Sequence, residues 1–444
     1  MNKQILKTIR DKMPEPLKHV TSSFLRNRLI KNDGFSKYYQ LLIERENLSP
    51  EKIKEFQFDQ LKNILIYASR NVPYYEELFD SVSFNPLAFS DFEEIKKIPF
   101  LTRELVAQNY DKLISREKIK NGYYGGSTGG STGSPLNFVL DYDSVYKENA
   151  FLYYYRRKLG YKFADRLATF RGIDLNHRTW QYNPMYNETI YSPMGLSKLT
   201  IHDYARRINS IKPTFLNGYL SALWFFTKLI DQNNIKLDIK IKGIFLMSEN
   251  IDPEQRAFLE DYYKVKSIAH YGHSERCVLA YETGPGDYFF DPYYGYGEQI
   301  ESEGDNYLIV GTGFLNKSMP FIRYKTDDYC TPVNNHFTIE GKRSTGLGLY
   351  GYNGEFIVGS SFLDLFKYFT NYQFIQKEKG KADMLIVSNS EIHEKDIHKI
   401  QANIDAHTKG IIDINVKLVD SLILSPRGKF QMYISELQDQ NFAQ

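Results

Sequence analysis

The segment YYGGSTGGSTGSPLNF (residues 123–138) is crowded with glycine and hydroxyl side chains, and the strand-like sequence PLNFVLDYD follows at once. Glycine lets backbone N–H groups approach a ligand closely, and Ser and Thr hydroxyls add donors without charge, so the segment is suited to cradling phosphate oxygens. It lacks both the GK[ST] of a P-loop and the G-x-G-x-x-G spacing of a dinucleotide fold. A flexible surface linker is the competing interpretation of this segment taken alone.

Strand-like and helix-like segments alternate after this loop. DRLATFRG, IKGIFLMSE and VKSIAHYG have the composition of buried strands, while SVYKENAFLYYYRRKLGY, SALWFFTKLIDQNN and DPEQRAFLEDYYK have helical patterns. Residues 290–340 are richer in β signals, and the last hundred or so residues indicate a β-α-β-β module. The order predicts an α/β protein, in which a large N-terminal domain with mainly parallel sheets precedes a small C-terminal α+β domain.

Helices are predicted before the loop as well. Pro73 and Pro99 each break a helical pattern in two, and Ser49 and Thr102 stand where N-cap residues are expected. We therefore predict two helix pairs ahead of the glycine loop.

Composition excludes several classes of protein. The chain has 444 residues, more than one hydrophobic core usually serves, and its net charge of +2 gives no electrostatic case for a nucleic-acid partner. Cys277 and Cys330 are its only cysteines, which excludes a disulfide scaffold and fits a reducing compartment. The longest apolar run, YLSALWFFTKLI, is shorter than the ~20 residues that span a bilayer. We predict a cytoplasmic protein without a signal peptide.

Residues 1–31 have a local basic bias. They carry eight Lys or Arg against Asp11 and Glu15, and Ile5, Ile9 and Met13 share one helical face. Such a segment is able to lie on an anionic membrane surface, at the inner face of the membrane. A solvated helix docked on the body of the protein is the competing interpretation.

Four motifs, taken together, resemble those of the adenylate-forming enzymes. STGGSTGSPL resembles the family's phosphate loop TSGSTGxP, and HYGHSE (270–275) resembles its YGxTE motif. IRYKTDD (322–328) and SPRGKF (425–430) resemble its R-Y-R-T-G-D and C-terminal GK motifs, and all four follow the family's order. RNVPYYEELF, IPFLTRELV, LMSENIDPEQR and LNKSMPFIRY are similar to the phenylacetate–CoA ligase branch, especially its capsular-polysaccharide-biosynthesis relatives. The likeness covers roughly residues 55–435.

The resemblance implies an architecture and a reaction. It divides the chain into the basic segment 1–31, a large ATP- and acyl-binding domain at 32–343, and a small mobile C-terminal domain at 344–444. It implies that a small carboxylic acid is activated by ATP and Mg²⁺ through an acyl-adenylate. The acyl group would then pass to CoA, or to an amine or hydroxyl of a surface-polysaccharide precursor.

The resemblance also assigns roles to residues. Only the second GGST copy is followed by Ser134–Pro135, as the family requires, so that copy matches the phosphate loop. Lys429 and Glu275 take the catalytic roles, and Glu275 is also the Mg²⁺-associated carboxylate. The residues matched to the ATP phosphates are Thr128, Gly129, Gly130, Ser131, Thr132 and Gly133. Those matched to adenine and ribose are Tyr271, Gly272, Ser274, Asp328 and Arg343. For each of these there is an ordinary alternative, such as an exposed lysine, a surface carboxylate or a core tyrosine.

Two positions depart from the family pattern. Asp327 stands where the family usually has Gly, which puts the geometry beside Asp328 in question. Arg343 is kept at the interdomain hinge, but Gly346 lies near the expected Asp, so a swing of the small domain is uncertain from sequence. Arg323 either pairs with Asp328 or braces the site.

Other interpretations stay open at this stage. The acyl pocket is expected from segments 123–124, 217–224 and 247–250. His270, His273 and Cys277 suggest a zinc site but lack a remote fourth ligand. A catalytically degenerate nucleotide-binding scaffold is the alternative from another class, and an acyl-protein synthetase that acylates a partner's cysteine shares the first half-reaction.

Overall fold

The structure is a computed structural model that describes residues 14–119, 122–127, 136–171, 175, 178–193, 196, 200–302, 307–341, 348–352, 356–358, 371–387, 394–408, 410–424 and 433–437. The α-helices are α1 (Glu15–Ile30), α2 (Asp33–Glu44), α3 (Pro50–Asn71), α4 (Pro73–Ser81), α5 (Arg103–Gln108), α6 (Tyr110–Leu113), α7 (Tyr142–Arg156), α8 (Ile201–Ile211), α9 (Leu220–Gln232), α10 (Pro253–Tyr263) and α11 (Glu394–Thr408). Short 3₁₀ helices are Arg45–Asn47, Pro86–Ala88, Phe92–Lys97 and Arg157–Leu159.

The strands of the first part of the chain are β1 (Tyr123–Ser127), β2 (Asn137–Asp141), β3 (Leu167–Phe170), β4 (Trp180–Asn183), β5 (Glu188–Tyr191), β6 (Phe215–Gly218), β7 (Gly243–Met247), β8 (Ser267–Gly272), β9 (Leu279–Gly284) and β10 (Asp287–Phe290). They are followed by β11 (Gly295–Glu301), β12 (Tyr307–Gly313), β13 (Tyr324–Val333), β14 (His336–Gly341), β15 (Gly348–Tyr350), β16 (Phe356–Val358), β17 (Asn371–Glu378), β18 (Lys381–Val387), β19 (Asp413–Leu418) and β20 (Tyr433–Ser435).

One mixed sheet of twelve strands dominates the fold, in the order β11-β12-β13-β14-β10-β9-β8-β7-β6-β3-β5-β4. Its centre is parallel: β5, β3, β6, β7 and β8 run in one direction. Helices α8, α9 and α10 connect β5, β6, β7 and β8 in turn, whereas β4 lies between β3 and β5 in the chain. From β8 to β11 every pairing is antiparallel, and β4 adds an antiparallel edge. The predicted α/β class is confirmed, but the sheet is mixed rather than mainly parallel because its second half is built from hairpins.

Local sequence explains where the N-terminal helices begin. The side chain of Ser49 accepts a hydrogen bond from the backbone N–H of Lys52, and Thr102 accepts one from Leu105. Both caps satisfy an N–H group that has no partner inside the helix. Pro73 opens α4 one residue after α3 ends, as predicted from the break in the pattern.

The two faces of the parallel centre bury different helices. Leu216, Leu246 and Ala269 pack with α8 and α9 on one face, whereas Phe215 and Phe245 pack with α7 on the other. Because side chains alternate along a strand, each strand contributes to both layers. The parallel strands are therefore covered on both faces, which agrees with apolar stretches such as GIFLM in β7.

The C-terminal segment forms separate small sheets. Strands β19-β18-β17-β20 make a four-stranded sheet, and α11 packs on it around Met384, Ile400 and Ile404. The sequence predicted a β-α-β-β module, whereas the structure adds β17 at its start. The domain boundary at 343–344 stays a prediction, because residues 342–347 lie outside the described part.

None of the helices in the described ranges is long and apolar enough to span a membrane. Both cysteines, Cys277 and Cys330, are buried and free.

Candidate active site

Two of the predicted site residues meet at the point where the sheet changes from parallel to antiparallel. The Tyr271 hydroxyl, at the end of β8, donates to Oδ2 of Asp328 at 2.9 Å. His273 Nε2 lies 2.9 Å from the same oxygen and 2.7 Å from the Tyr271 hydroxyl. Burial, and then the negative charge of Asp328, raise the pKa of Tyr271, so the phenol keeps its proton.

A bulge in β13 presents Asp328. Leu308 of β12 pairs with Tyr329 and Val310 pairs with Lys325, so residues 326–328 stand opposite a single residue. The Thr326 hydroxyl donates to the carbonyl of Ile309 at 2.8 Å and accepts from the Asp328 N–H at 3.2 Å, which fixes the bulge. Bulges commonly re-aim a side chain beside an active site.

Asp327, which stands where the family usually has glycine, adopts a backbone conformation that glycine favours. Its φ is +62°, in the left-handed region, where Asp is among the better tolerated residues. Arg276 and Arg323 also have left-handed backbones, with φ of +59° and +50°. Such conformations persist only where the surroundings fix them, and all three flank motif residues.

Arg323 braces the site. Its guanidinium binds Glu298 with Nη2–Oε1 at 2.8 Å and donates to the carbonyls of Lys96 at 3.2 Å and Ile98 at 2.6 Å. The side chain is 4% exposed and its guanidinium carbon lies 4.4 Å from the centroid of the Phe100 ring. Of the two interpretations left open by the sequence, the bracing one agrees with these contacts.

Glu275 follows in a tight turn after β8. Its residue is 8% exposed, and the Tyr324 hydroxyl donates to Oε1 at 3.5 Å. The charge of Glu275 adds to burial in raising the pKa values of Tyr324 and Cys277. Gly272 and Ser274, beside it, are exposed.

Arg276 joins this turn to the glycine-rich hairpin and was missed by the sequence analysis. Its Nε donates to Glu148 Oε2 at 2.7 Å, and its Nη1 donates to the Ser144 hydroxyl. The positive charge of Arg276 also opposes the rise that burial produces in the pKa of Tyr124 on β1. Strands β1 and β2, which flank residues 128–135, are thereby held next to the end of β8.

Several predicted site residues lie outside the described part of the chain. These are Thr128, Gly129, Gly130, Ser131, Thr132, Gly133, Arg343 and Lys429. Their roles stay predictions. The zinc interpretation gains no support, since no group of three or more His, Cys, Asp or Glu in the described residues is arranged to hold a metal ion.

Two of the three expected acyl-pocket segments, 217–224 and 247–250, lie at the ends of neighbouring parallel strands, whereas 123–124 belongs to the antiparallel hairpin β1–β2. Asn217 lies in β6 and Met247 ends β7, and ligands of parallel sheets bind beyond such carboxyl ends. Gly218 adopts a φ of +145°, and a Cβ there would lie 2.1 Å from the carbonyl oxygen of Phe170, so only glycine fits. Glu249 binds the N–H of Ser221 at 3.0 Å and its hydroxyl at 2.9 Å, which caps α9.

Comparisons with known proteins agree with this geometry, although no protein-family model matches the sequence. The chain is 23% identical to Protein CapK of Staphylococcus aureus over 310 residues, 68% of each chain. It is 28% identical to phenylacetate-coenzyme A ligase of Thermus thermophilus over 95 residues, 21% of each chain.

The solved structures show the fold. The chain superposes on 2-hydroxyisobutyryl-CoA ligase in the postadenylation state, in complex with 2-HIB-AMP, with a TM-score of 0.67 and 14% identity, covering 87% of this chain and 90% of that one. The same ligase with 2-HIB-AMP and CoA in the thioesterification state gives a TM-score of 0.55, covering 88% and 91%. The fold and the sequence relatives together confirm the resemblance, drawn from the motifs, to the adenylate-forming, acyl-CoA synthetase-like superfamily.

Proposed function

We propose that the chain is an AMP-forming acid ligase that activates a carboxylate with ATP as an acyl-adenylate and transfers the acyl group to CoA. The observation that carries the proposal is the cluster of Tyr271, His273 and Asp328 beyond the parallel strands. An aromatic ring offers a stacking surface to adenine, and a carboxylate accepts from both ribose hydroxyls. The likeness to 2-hydroxyisobutyryl-CoA ligase and phenylacetate-coenzyme A ligase supports the same reaction class.

The remaining roles follow the motif matches. Residues 128–133 would hold the phosphates, with Gly272, Ser274 and Arg343 assisting at the nucleoside, and Lys429 would neutralise charge that develops between carboxylate and phosphate. The carboxylate of Glu275 fits Mg²⁺, because a hard cation prefers oxygen ligands and the Tyr324 hydroxyl uses little of its acceptor capacity. Mg²⁺ bound there would neutralise phosphate charge as pyrophosphate leaves.

Carboxylate-dependent exchange between ATP and pyrophosphate tests the first half-reaction. A mixed panel of aryl, fatty, hydroxy and amino acids should give exchange with one class of acid, and Lys429→Ala should reduce it to background. Lys417→Ala is the matched control, since Lys417 lies in the same small domain and pairs with Asp383 at 2.7 Å. Full exchange in the Lys429 variant would contradict its assigned role.

The acceptor is open to a direct test. Acyl-adenylate made by the enzyme should be consumed by CoA with formation of a thioester. Consumption only by an amine or a hydroxyl of a sugar would favour the polysaccharide acceptor, and consumption by a protein cysteine would favour an acyl-protein synthetase.

The alternative function is a catalytically degenerate, nucleotide-binding scaffold in polysaccharide biosynthesis. The altered hinge near Arg343 motivates it. ATP binding without pyrophosphate exchange over the whole panel would favour this alternative over the ligase.

We further propose that α1 contacts the inner face of the membrane, in agreement with a cytoplasmic enzyme that has two free cysteines. The inner face of α1 is held by the Ser22 hydroxyl, which donates to the carbonyl of Pro184 at 2.7 Å, and by the buried side chain of Leu29. Its outer face carries Leu17, Val20 and Phe24, which are 49%, 76% and 68% exposed. The exposed Arg28 and Lys31 of the same segment, together with the basic residues before α1, complement anionic lipid.

Sedimentation with vesicles tests this contact. The protein should bind phosphatidylcholine vesicles only when phosphatidylserine is added, and Val20→Ser with Phe24→Ser should abolish binding. Leu87→Ser is the control, because Leu87 is 60% exposed on another part of the surface. Equal binding by both variants would contradict the proposal.

A further inference from the structure

The face of the large sheet that packs against α7 carries polar side chains at the carboxyl ends of its parallel strands. Asn217 shares this face with Phe215, and Met247 shares it with Phe245. His270 pairs with Met247 across β7 and β8 and lies on the same face. Since Tyr271 follows His270 on β8, the proposed adenine position and this polar face lie on opposite sides of one strand.

Arg156, the last residue of α7, points its guanidinium at this face. Its Nη2 donates to Oδ1 of Asn217 at 3.3 Å, and its guanidinium carbon lies 5.0 Å from the centroid of the Phe245 ring and 5.8 Å from that of Tyr161. The amide nitrogen of Asn217 donates to the Thr169 hydroxyl at 3.1 Å, which fixes the orientation of the amide.

Arg156 differs from the most buried arginines of the protein in having no counter-ion. Arg45, Arg256, Arg276 and Arg323 each bind a carboxylate. Within the described ranges no carboxylate oxygen lies within 4 Å of the Arg156 guanidinium, which donates a hydrogen bond to Asn217. A guanidinium has five N–H donors, so most of its capacity is left for a ligand.

His270 adds a neutral group rather than a second charge. Burial, and then the positive charge of Arg156, lower the pKa of His270 to about 4. The imidazole is therefore uncharged at neutral pH, and one of its nitrogens is a donor and the other an acceptor. The carboxylate of Glu188 on the same face lies at the amino end of β5 and pairs with Arg171 at 3.7 Å. The carboxyl ends of β6, β7 and β8 therefore meet the Arg156 cation, a neutral imidazole and an amide, and this combination suits an anionic group better than an alkyl or aryl chain.

We propose that the acid activated by this enzyme is a dicarboxylate, whose second carboxylate is held by Arg156 while the first is adenylated. This inference rests on the proposed function. The planar fork of Arg binds a carboxylate through two parallel hydrogen bonds, and Asn217 holds the fork in place. The Phe245 ring shields one side of the pair from water, which strengthens the attraction.

Pyrophosphate exchange with matched acids tests the inference on the unmodified enzyme. Each pair consists of a dicarboxylic acid and its monomethyl ester: malonic, succinic, glutaric and phthalic acid. The best diacid should exceed its monoester by at least about tenfold in kcat/KM, because the monoester leaves the partly buried Arg156 cation without an ion pair. Exchange in which every monoester equals or exceeds its diacid overturns the inference while leaving the proposed function standing. Absence of exchange with any acid overturns both.

Two variants assign the preference to Arg156. Arg156→Met should remove the advantage of the diacid, by roughly tenfold or more, while monoester activity is retained. Arg157→Met is the matched control: the neighbouring residue pairs with Glu46 at the surface, and its loss should leave the preference unchanged. A diacid preference that survives in Arg156→Met, in protein whose circular dichroism matches that of the parent, overturns the assignment.

Discussion

The two halves of the large sheet hold their cations in different ways. In the antiparallel half, Arg323 is enclosed by Glu298 and two backbone carbonyls, and Arg276 is bound by Glu148. In the parallel half, Arg156 stacks on Phe245 and bonds one amide oxygen without a carboxylate. Arg323 and Arg276 are therefore neutralised by carboxylates of the protein itself, whereas the charge of Arg156 is left to be balanced by a ligand.

This difference matches the two tasks of an adenylate-forming enzyme. Every such enzyme binds the same nucleotide. A nucleotide site whose side chains are already fixed by hydrogen bonds loses little conformational entropy on binding. The acyl site differs from enzyme to enzyme. A charged side chain without a partner in that site, here Arg156, indicates the charge that the ligand has to supply. An uncompensated charge in a partly buried site is more informative about a substrate than a satisfied one.

The largest effect is expected from removing Arg323. Arg323→Met leaves Glu298 buried without its partner, which typically costs about 3–5 kcal/mol. Urea unfolding should show a loss of that order in the free energy of unfolding. Arg156→Met is the comparison variant, and it should lose less than about 1 kcal/mol, because no carboxylate is left behind. Equal losses in the two variants would remove the contrast between the two halves of the sheet.

The next largest effect should fall on activity. Asp328→Ala removes the carboxylate that accepts from Tyr271 and that we assign to the ribose hydroxyls. Charge-assisted hydrogen bonds contribute about 1.5–3 kcal/mol, so kcat/KM for ATP should fall by roughly 10- to 150-fold with little change in the free energy of unfolding. The neighbouring Asp327→Asn is the control, since Asn also tolerates the left-handed backbone at that position. Similar activity in both variants would refute the assignment of Asp328.

The sequence anticipated the elements that depend on local pattern. The caps at Ser49 and Thr102, the break at Pro73 and the succession of strand and helix are read within a few residues of the chain. Motif order led to Tyr271 and Asp328, which the structure brings within 2.9 Å of each other. The proposed chemistry of both residues is still to be tested.

Long-range pairing was not readable in the same way. The partners of Arg323 and Arg276 are 25 and 128 residues away, and nothing in the motif around either arginine identifies them. Arg156 ends α7, whose sequence does not distinguish this arginine, and its lack of a neighbouring carboxylate becomes visible only when the sheet is assembled. From the sequence, His273 was predicted only as a possible zinc ligand. Its hydrogen bond to Asp328 depends on the bulge in β13, which the sequence does not reveal.

A pH-dependent effect should come from His270 in the parallel half. Its pKa of about 4 lies below the ordinary value of 6.5, so between these values the unfolded chain binds a proton that the folded protein does not. The stability is complete above pH 6.5 and falls toward pH 4, by up to roughly 3 kcal/mol. Urea unfolding at pH 7 and at pH 5 measures this effect. Between these two pH values the free energy of unfolding should fall less in His270→Gln than in the parent. An unchanged difference would mean that His270 is not the titrating group.

The smallest effect is expected from a single hydroxyl in the nucleotide cluster. Tyr271→Phe keeps the ring that we assign to adenine but removes the bonds to Asp328 and His273. The carboxylate then keeps its contact with His273, and the Thr326 hydroxyl still accepts from the Asp328 N–H. The loss should therefore be about 1 kcal/mol, or roughly fivefold to tenfold in KM for ATP with kcat little changed. Tyr288→Phe, a buried tyrosine on β10 outside the cluster, should leave KM unaltered. A loss of a hundredfold or more would mean that the Tyr271 hydroxyl itself takes part in binding or chemistry. The hydrogen bonds of this cluster would then serve the nucleotide directly and not only hold one another in place.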